Sequence, residues 1–284
     1  MFQNNKFFNI AIPILIAANI FAWNAILFGG NTENLELWFL DVGQGDSELV
    51  NLPGDVQILI DGGPPNGKVL NELAKAMKPM DRYIDILVVS HPQLDHFAGL
   101  IDVLKNYQVG VVIDNGRKGT AKAYADFKKA LAESGARHII LAEGDSIKYG
   151  KTRFDILSPN KTNLASKELN DTTLVMLLQD RGLRALYTGD IGQNIEDELI
   201  RRYNLSADIL KVGHHGSRFS SSPEWLQVVR PKISVIEVGA RNTYGHPTPA
   251  ALTNLADIGS QIFRTDQDGT VKMIFDGRSL IVYK

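Results

Sequence analysis

Cysteine is absent from all 284 residues. That removes disulfides, thiolate metal ligands and cysteine nucleophiles together, and leaves histidines and carboxylates as the available ligands for a transition metal. An excess of either charge is missing too, since 30 basic and 32 acidic residues leave a formal net charge of -2. No overall positive field draws nucleic acid or an anionic membrane to the chain, so a polyanionic substrate would need a local basic patch or a bound cation. Internal repeats, low-complexity tracts and a second linker are also lacking. Histidine is scarce, with six copies, yet five of them fall in three short clusters.

Apolar residues make up 44% of the chain, enough for one large domain with a well-filled core. One apolar run stands apart. FFNIAIPILIAANIFAWNAILF, from Phe7 to Phe28, carries no charge, and about 20 apolar residues suffice to cross a bilayer core. This predicts a membrane anchor over residues 1–30. Lys6 before it and Glu33 and Glu36 after it favour a single-pass protein with an extracytoplasmic body. The alternatives are a signal sequence, cleaved to release a secreted protein, and a buried helix, because Asn9, Asn19, Asn24 and Pro13 dilute the hydrophobicity.

Residues 35–284 read as one domain of punctuated α/β pattern. Strand-like runs such as LELWFLDV, QILIDGG, IDILVVS, VGVVIDN, ALYTGD, DILKVGHH and ISVIEVG alternate with helical ones such as KVLNELAKAM, AYADFKKALAESG and IGQNIEDELIRRYN. Polar clusters end several of the strands, where α/β proteins commonly place their chemistry. They are DGG at Asp61, SHPQLDH at His91 to His96, TGD at Asp190, GHHGS at His214 and His215, and YGHPTP at His246. His138 opens the apolar run HIIL and reads as structural.

A strand-to-helix turn, with the helix beginning near Phe97, can aim His91, Asp95 and His96 at one point above a sheet, where a divalent cation fits. The alternative is that Asp95 caps the helix. Neighbours in an extended segment face opposite ways, so only one of His214 and His215 is expected at a metal, and the pattern does not choose between them. DVGQGDS lies between strand runs with no helix after it, which predicts a tight hairpin with Gly43 and Gly45 at special backbone angles. Its Asp41, Gln44 and Asp46 would border the site. In GSRFSSSPEWL, Ser221 or Ser222 caps a helix, while Ser217 and Arg218 are candidates to contact a phosphate.

SHPQLDHFAGL, with DGG before it and TGD and GHHGS after it, resembles the metallo-β-lactamase superfamily, whose box reads H-x-H-x-D-H. FLDVGQGDSELV, NDTTLVMLL, LYTGDI, DILKVGHHGSRFSSSPEWL, YGHPTPAAL and RTDQDGTV together resemble the metallo-β-lactamase-like domain of ComEC-type DNA-uptake (competence) proteins, from about Leu37 onward. The resemblance implies a four-layer αβ/βα sandwich with a metal site along one edge. It implies His91, Asp95 and His96 as box ligands, Asp190 as bridging carboxylate, His214 or His215 as late ligand, and Asp61 as a brace behind the box. Two positions depart from the superfamily pattern. Gln93 replaces the second imidazole of the box, and Asn170 falls where another histidine is usual. Amide oxygens are harder and weaker ligands than imidazole, which implies one strong and one weak or empty metal position. One or two divalent ions are expected, manganese or zinc first and magnesium as an option.

Such a centre supports hydrolysis. Asp190 and Asp95 hold the reacting water's cation, and His246 is the candidate to meet the substrate or protonate the leaving oxygen. The expected function is therefore a membrane-anchored metal-dependent phosphodiesterase or nuclease acting on extracellular DNA. With one candidate span in the chain, a separate DNA-uptake channel is the expected partner. The alternatives are a hydrolase of a lactone, ester or phosphorylated small molecule, and a non-catalytic member of an uptake assembly. Oligomeric state is left open.

Overall fold

The computed structural model describes residues 5–28 and 33–284. Helix α1 (Asn5–Phe28) precedes the body. Six strands follow, β1 (Leu35–Phe39), β2 (Glu48–Leu52), β3 (Val56–Ile60), β4 (Tyr83–Val88), β5 (Gln108–Asp114) and β6 (Arg137–Ile140). Helices α2 (Lys68–Ala76), α3 (Leu94–Phe97), α4 (Leu100–Asn106) and α5 (Ala123–Ser134) lie between them. The second half holds β7 (Ser146–Tyr149), β8 (Thr152–Ser158), β9 (Val175–Asp180), β10 (Leu183–Tyr187), β11 (Ile209–Lys211), β12 (Ile233–Ile236) and β13 (Gln261–Arg264). Its helices are α6 (Lys161–Leu164), α7 (Gln193–Ile200), α8 (Pro223–Val229), α9 (Pro249–Asp257) and α10 (Thr265–Asp268). The chain then returns to the first sheet through β14 (Val271–Phe275) and β15 (Leu280–Tyr283).

Among the described residues the strands form two sheets, ordered β15-β14-β1-β2-β3-β4-β5-β6 and β13-β12-β11-β10-β9-β8-β7. Their inner faces meet over Leu37, Phe39, Val50, Ile60, Phe154, Met176, Ala185 and Val235. This is why β1 alternates buried and half-buried residues along its length. On the outer face of the first sheet, Leu49, Leu59 and Leu87 pack against Val69 and Leu73 of α2, Val103 of α4 and Phe127 of α5. On the outer face of the second, Leu186 and Leu210 pack against Ile195 of α7 and Trp225 and Leu226 of α8. Three apolar layers between four layers of elements are the expected αβ/βα sandwich.

The order of the strands places the chemistry. β3, β4, β5 and β6 run parallel, as do β10, β11, β12 and β13. The carboxyl ends of both parallel blocks therefore open on the same kind of crevice that binds ligands in other α/β sheets. Asp61 follows β3, His91 follows β4, Asp190 follows β10, and His214 and His215 follow β11.

Several expectations need correction. The helix after the box starts at Leu94, not near Phe97, so Asp95 and His96 sit inside its first turn and Gln93 occupies the cap position without a side-chain bond. Asp95 therefore does not cap the helix. The segment between β1 and β2 is a long loop, residues 40–47, and not a tight hairpin, although Gly43 (φ 89°) and Gly45 (φ 146°) do take positive φ. A side chain at Gly45 would collide with the Asp95 carbonyl oxygen, so this loop packs directly on the box turn. Among the described residues no helix is long and apolar enough to cross a membrane. The predicted span over residues 7–28 is thus not supported. Residues 1–4 and 29–30 of the expected anchor lie outside the described residues. His138 has the structural role expected, with its Nε2 2.9 Å from Asp114 Oδ2.

Candidate metal centre

Three buried histidines at the crevice are anchored in the same way. His96 Nδ1 lies 2.8 Å from Asp61 Oδ2, His91 Nδ1 lies 3.0 Å from Ser90 Oγ, and His215 Nδ1 lies 2.8 Å from the Glu237 carbonyl oxygen. A partner on Nδ1 leaves Nε2 to face the site. In all three rings Nε2 is buried and has no hydrogen-bond partner. Buried polar atoms are nearly always satisfied, so a set of orphaned nitrogens aimed into one space fits the ligation of a cation.

Two of those nitrogens meet carboxylates. His96 Nε2 is 3.3 Å from Asp190 Oδ2, and His215 Nε2 is 3.5 Å from the same oxygen and 3.4 Å from Asp95 Oδ2. Asp95, His96, Asp190 and His215 each offer one ligand atom, and these atoms all lie within 4.8 Å of one another. Two imidazoles and two carboxylates are a fitting donor set for zinc or manganese. Of the two late histidines, His215 is the one whose ring nitrogen joins this group. It is buried, whereas His214 is half-buried with Nε2 4.0 Å from Asp190 Oδ2. The pair does not lie in an extended segment. Both residues adopt left-handed backbone, with φ of 49° and 54°, in a tight turn over Gly213–Gly216, and that turn sends the two rings apart.

The other half of the crevice is different. Gln93 Nε2 donates to Asn170 Oδ1 in a close contact, and the Asn170 amide nitrogen is 3.5 Å from His214 Nδ1. The two amides thus satisfy each other. His91 remains nearby, its ring 4.2 Å from that of His96. Among the described residues, no grouping close enough to hold an ion includes His91 or His214. Asp61 is the brace expected behind the box. Besides His96, it accepts from the Ser90 backbone at 2.8 Å and the Ser90 hydroxyl at 2.5 Å, and its own φ of 55° is left-handed.

Sequence reasoning put Asp46 at the border of the site but missed Glu48, Lys211 and Glu237, the rest of the layer beneath. Asp46 Oδ1 is 3.1 Å from His215 Nδ1, and its Oδ2 is 2.6 Å from the ammonium of Lys211, which is fully buried. Glu48 and Glu237 complete this buried group. Its signal was visible as single charges inside apolar runs, in SELV, ILKV and VIEV. Ser217 is buried and its hydroxyl accepts from Phe219 N at 3.3 Å, while Arg218 is exposed with its guanidinium 4.7 Å from the Phe219 ring centre. Ser222 caps α8 by accepting from Trp225 N at 3.2 Å. His246 joins the row of rings, 5.7 Å from His214, with a buried Nδ1 that has no partner.

The electrostatics favour a cation. Burial alone would depress the His215 imidazole, but the facing Asp190 and Asp46 carboxylates outweigh it and raise it to about 10. His96 is likewise raised well above the usual histidine value against the effect of burial, by Asp190, Asp46 and Asp61. Burial would raise Asp190, yet His215 and His96 hold it well below the ordinary carboxylate range. His91 goes the other way, pushed down to about 3 by burial and then by His96. Protons on His96 and His215 thus balance the carboxylates, and a bound cation must displace them. Manganese binding should therefore release protons, and affinity should fall as pH is lowered through neutrality. Calorimetric titration at pH 7 in two buffers of different ionisation enthalpy measures this. Identical heats in both buffers would rule out the ligand assignment of His96 and His215.

Comparison with known proteins agrees with this geometry. Residues 40–239 match the family model of the metallo-β-lactamase superfamily. The chain is 30% identical over 262 residues to ComE operon protein 3 of Bacillus subtilis, covering 86% of this chain and 33% of that protein. It is 29% identical over 261 residues to competence protein ComA of Neisseria gonorrhoeae, covering 91% of this chain and 35% of that one. The chain thus spans about a third of the length of the curated relatives it matches. Among solved structures, the metallo-β-lactamase fold protein YhfI from Bacillus subtilis superposes with a TM-score of 0.56 at 13% identity, over 84% of this chain and 99% of that one. With the family match covering most of the chain, including residues 91–96, Asp190 and His215, the chain belongs to the metallo-β-lactamase superfamily.

Proposed function

We propose that this protein is a metal-dependent phosphodiesterase that cleaves DNA at a membrane surface, in association with DNA uptake. One observation carries the reading: the orphaned Nε2 atoms of His96 and His215 and the carboxylates of Asp95 and Asp190 converge at the strand ends, with room for a single strongly held ion. The competence proteins among its relatives point to DNA, and a separate uptake channel is the partner they suggest. A small-molecule ester or lactone lacks any comparable support from the crevice.

Asp95, His96, Asp190 and His215 would hold the cation, which supplies an acidified water and neutralises charge on phosphoryl oxygens. The protein's own groups do the rest. Asp61 and the Glu237 carbonyl keep His96 and His215 in the tautomer that presents Nε2. His246 is lowered by burial and then by the neighbouring His214 and His215 imidazoles, so it is neutral near pH 7 and can take or give a proton at its free Nδ1. The amide pair of Gln93 and Asn170 would leave the second ion position weak, which favours hard, oxygen-tolerant metals there.

Asp190→Asn and His96→Ala should each lower DNA hydrolysis by at least about a hundredfold while the fold, followed by circular dichroism, persists. Parental rates in either folded variant would contradict the centre. In Gln93→His combined with Asn170→His, zinc content of the purified protein should rise relative to the parent. Unchanged stoichiometry would show that the amide pair does not occupy an ion position. The membrane location rests on the exposed Ile10, Ile14, Ile20 and Phe21 of α1. The protein should co-sediment with phospholipid vesicles, and its recovery in the supernatant would remove that part of the reading.

A further inference from the structure

The rings at the crevice continue outward past the ligands. His214 lies 6.1 Å from His215 at 72°, His246 lies 5.7 Å from His214 at 69°, and Tyr244 lies 6.0 Å from His246 at 15°. Exposure climbs along this row, from 2% at His215 to 68% at Tyr244. The loop that carries Tyr244 is tied down. Asn242 donates to the carbonyls of Gly239 at 2.9 Å and His246 at 2.7 Å, and accepts from the backbone of Tyr244 at 3.2 Å and His246 at 3.0 Å. A second exposed ring, Phe219, follows the two histidines on the neighbouring loop, whose backbone is fixed by the bond from Gln193 N at 2.8 Å. The Arg218 guanidinium lies over that ring.

The loop after β5 brings positive charge to the box turn. Asn115 donates to the Ser90 carbonyl at 3.4 Å and Arg117 to the Ser166 carbonyl at 2.9 Å, which fixes the loop bearing Arg117 and Lys118 beside the box turn and beside Lys167. Single exposed aromatics are ordinary on protein surfaces. Here two of them stand on fixed loops, one joined to the row of histidine rings and one following the two histidines, and positive charge stands on a loop tied to the box turn. That is the combination used by proteins that track a nucleic-acid backbone and stack its bases.

We propose that Tyr244, backed by His246 and aided by Arg218 and Phe219 on the loop after the two histidines, is a stacking platform for a nucleobase beside the scissile phosphate, so that the site selects an unpaired strand over a duplex. A stacking platform needs the free face of a base, and in a duplex both faces are covered by neighbours. Arginine over the Phe219 ring adds a cationic stacking surface and a phosphate contact at the same edge. The proposal rests on the phosphodiesterase reading but goes beyond it, since it names the residues that choose the form of the strand.

The test uses the full chain with manganese and three labelled probes: a single strand, the same strand with abasic residues around the cleavage position, and its duplex. Tyr244→Ala should raise KM for the single strand about tenfold, whereas Tyr244→Trp should restore it. In the parent, abasic substitution should carry a similar penalty, and in Tyr244→Ala that penalty should disappear. Phe219→Ala should show a smaller loss of the same kind. A parental KM in Tyr244→Ala, an equal loss on the duplex, or a further equal loss on the abasic strand would overturn the platform while leaving the hydrolase reading in place. A parent that neither binds nor cleaves any probe would overturn both.

Discussion

The carboxylate of Asp61 holds the crevice together. It ends β3, receives both the backbone and the hydroxyl of Ser90 at the end of β4, and fixes His96 through Nδ1. One buried side chain thereby joins two strand ends and the first turn of α3. The left-handed backbone of Asp61 is part of the same device, because a non-glycine residue is retained there only when its surroundings over-determine it. The box turn is held equally firmly from the other side. Gly62 N donates to the His96 carbonyl at 2.7 Å, and Asp46 N to that of Asp95 at 3.3 Å. Ligand positions are therefore set before any ion arrives.

Behind the ligands lies a group of charges that a core does not normally accept. Asp46, Glu48, Lys211 and Glu237 are all buried. Charges out of water are tolerated when paired, and Lys211 supplies the pairing for Asp46. Burial and then the Asp46 charge push Glu48 up, and burial and then Glu48 push Glu237 up, so these two carboxyls retain a proton instead of facing each other as anions. The result fixes His215 from behind, through Asp46 and the Glu237 carbonyl, just as Asp61 fixes His96.

The two sides of the crevice carry different chemistry because of two amides. On one side, imidazoles and carboxylates offer four converging ligand atoms. On the other, Gln93 and Asn170 spend their polar atoms on each other and on His214. One side thus offers a converging set of ligand atoms, while the other adjoins the row of rings formed by His214, His246 and Tyr244.

Much of this was legible in the linear chain. Apolar runs of strand length, closed by DGG, SHPQLDH, TGD and GHHGS, marked the strands and their polar ends, because a strand's period and its terminators are local properties. The sandwich itself, and the roles expected of Asp61 and Asp190, came through the family resemblance those motifs carry. Only the tertiary structure chose His215 over His214, since the choice depends on a left-handed turn that no pattern of side chains announces. It alone joined Gln93 to Asn170, which are 77 positions apart, and Lys211 to Asp46 across the two sheets. It also moved Asp95 and His96 into a helical turn, where local propensity had left them in a loop. Pairings between distant elements are set by how the two sheets pack, and packing is a property of the whole chain.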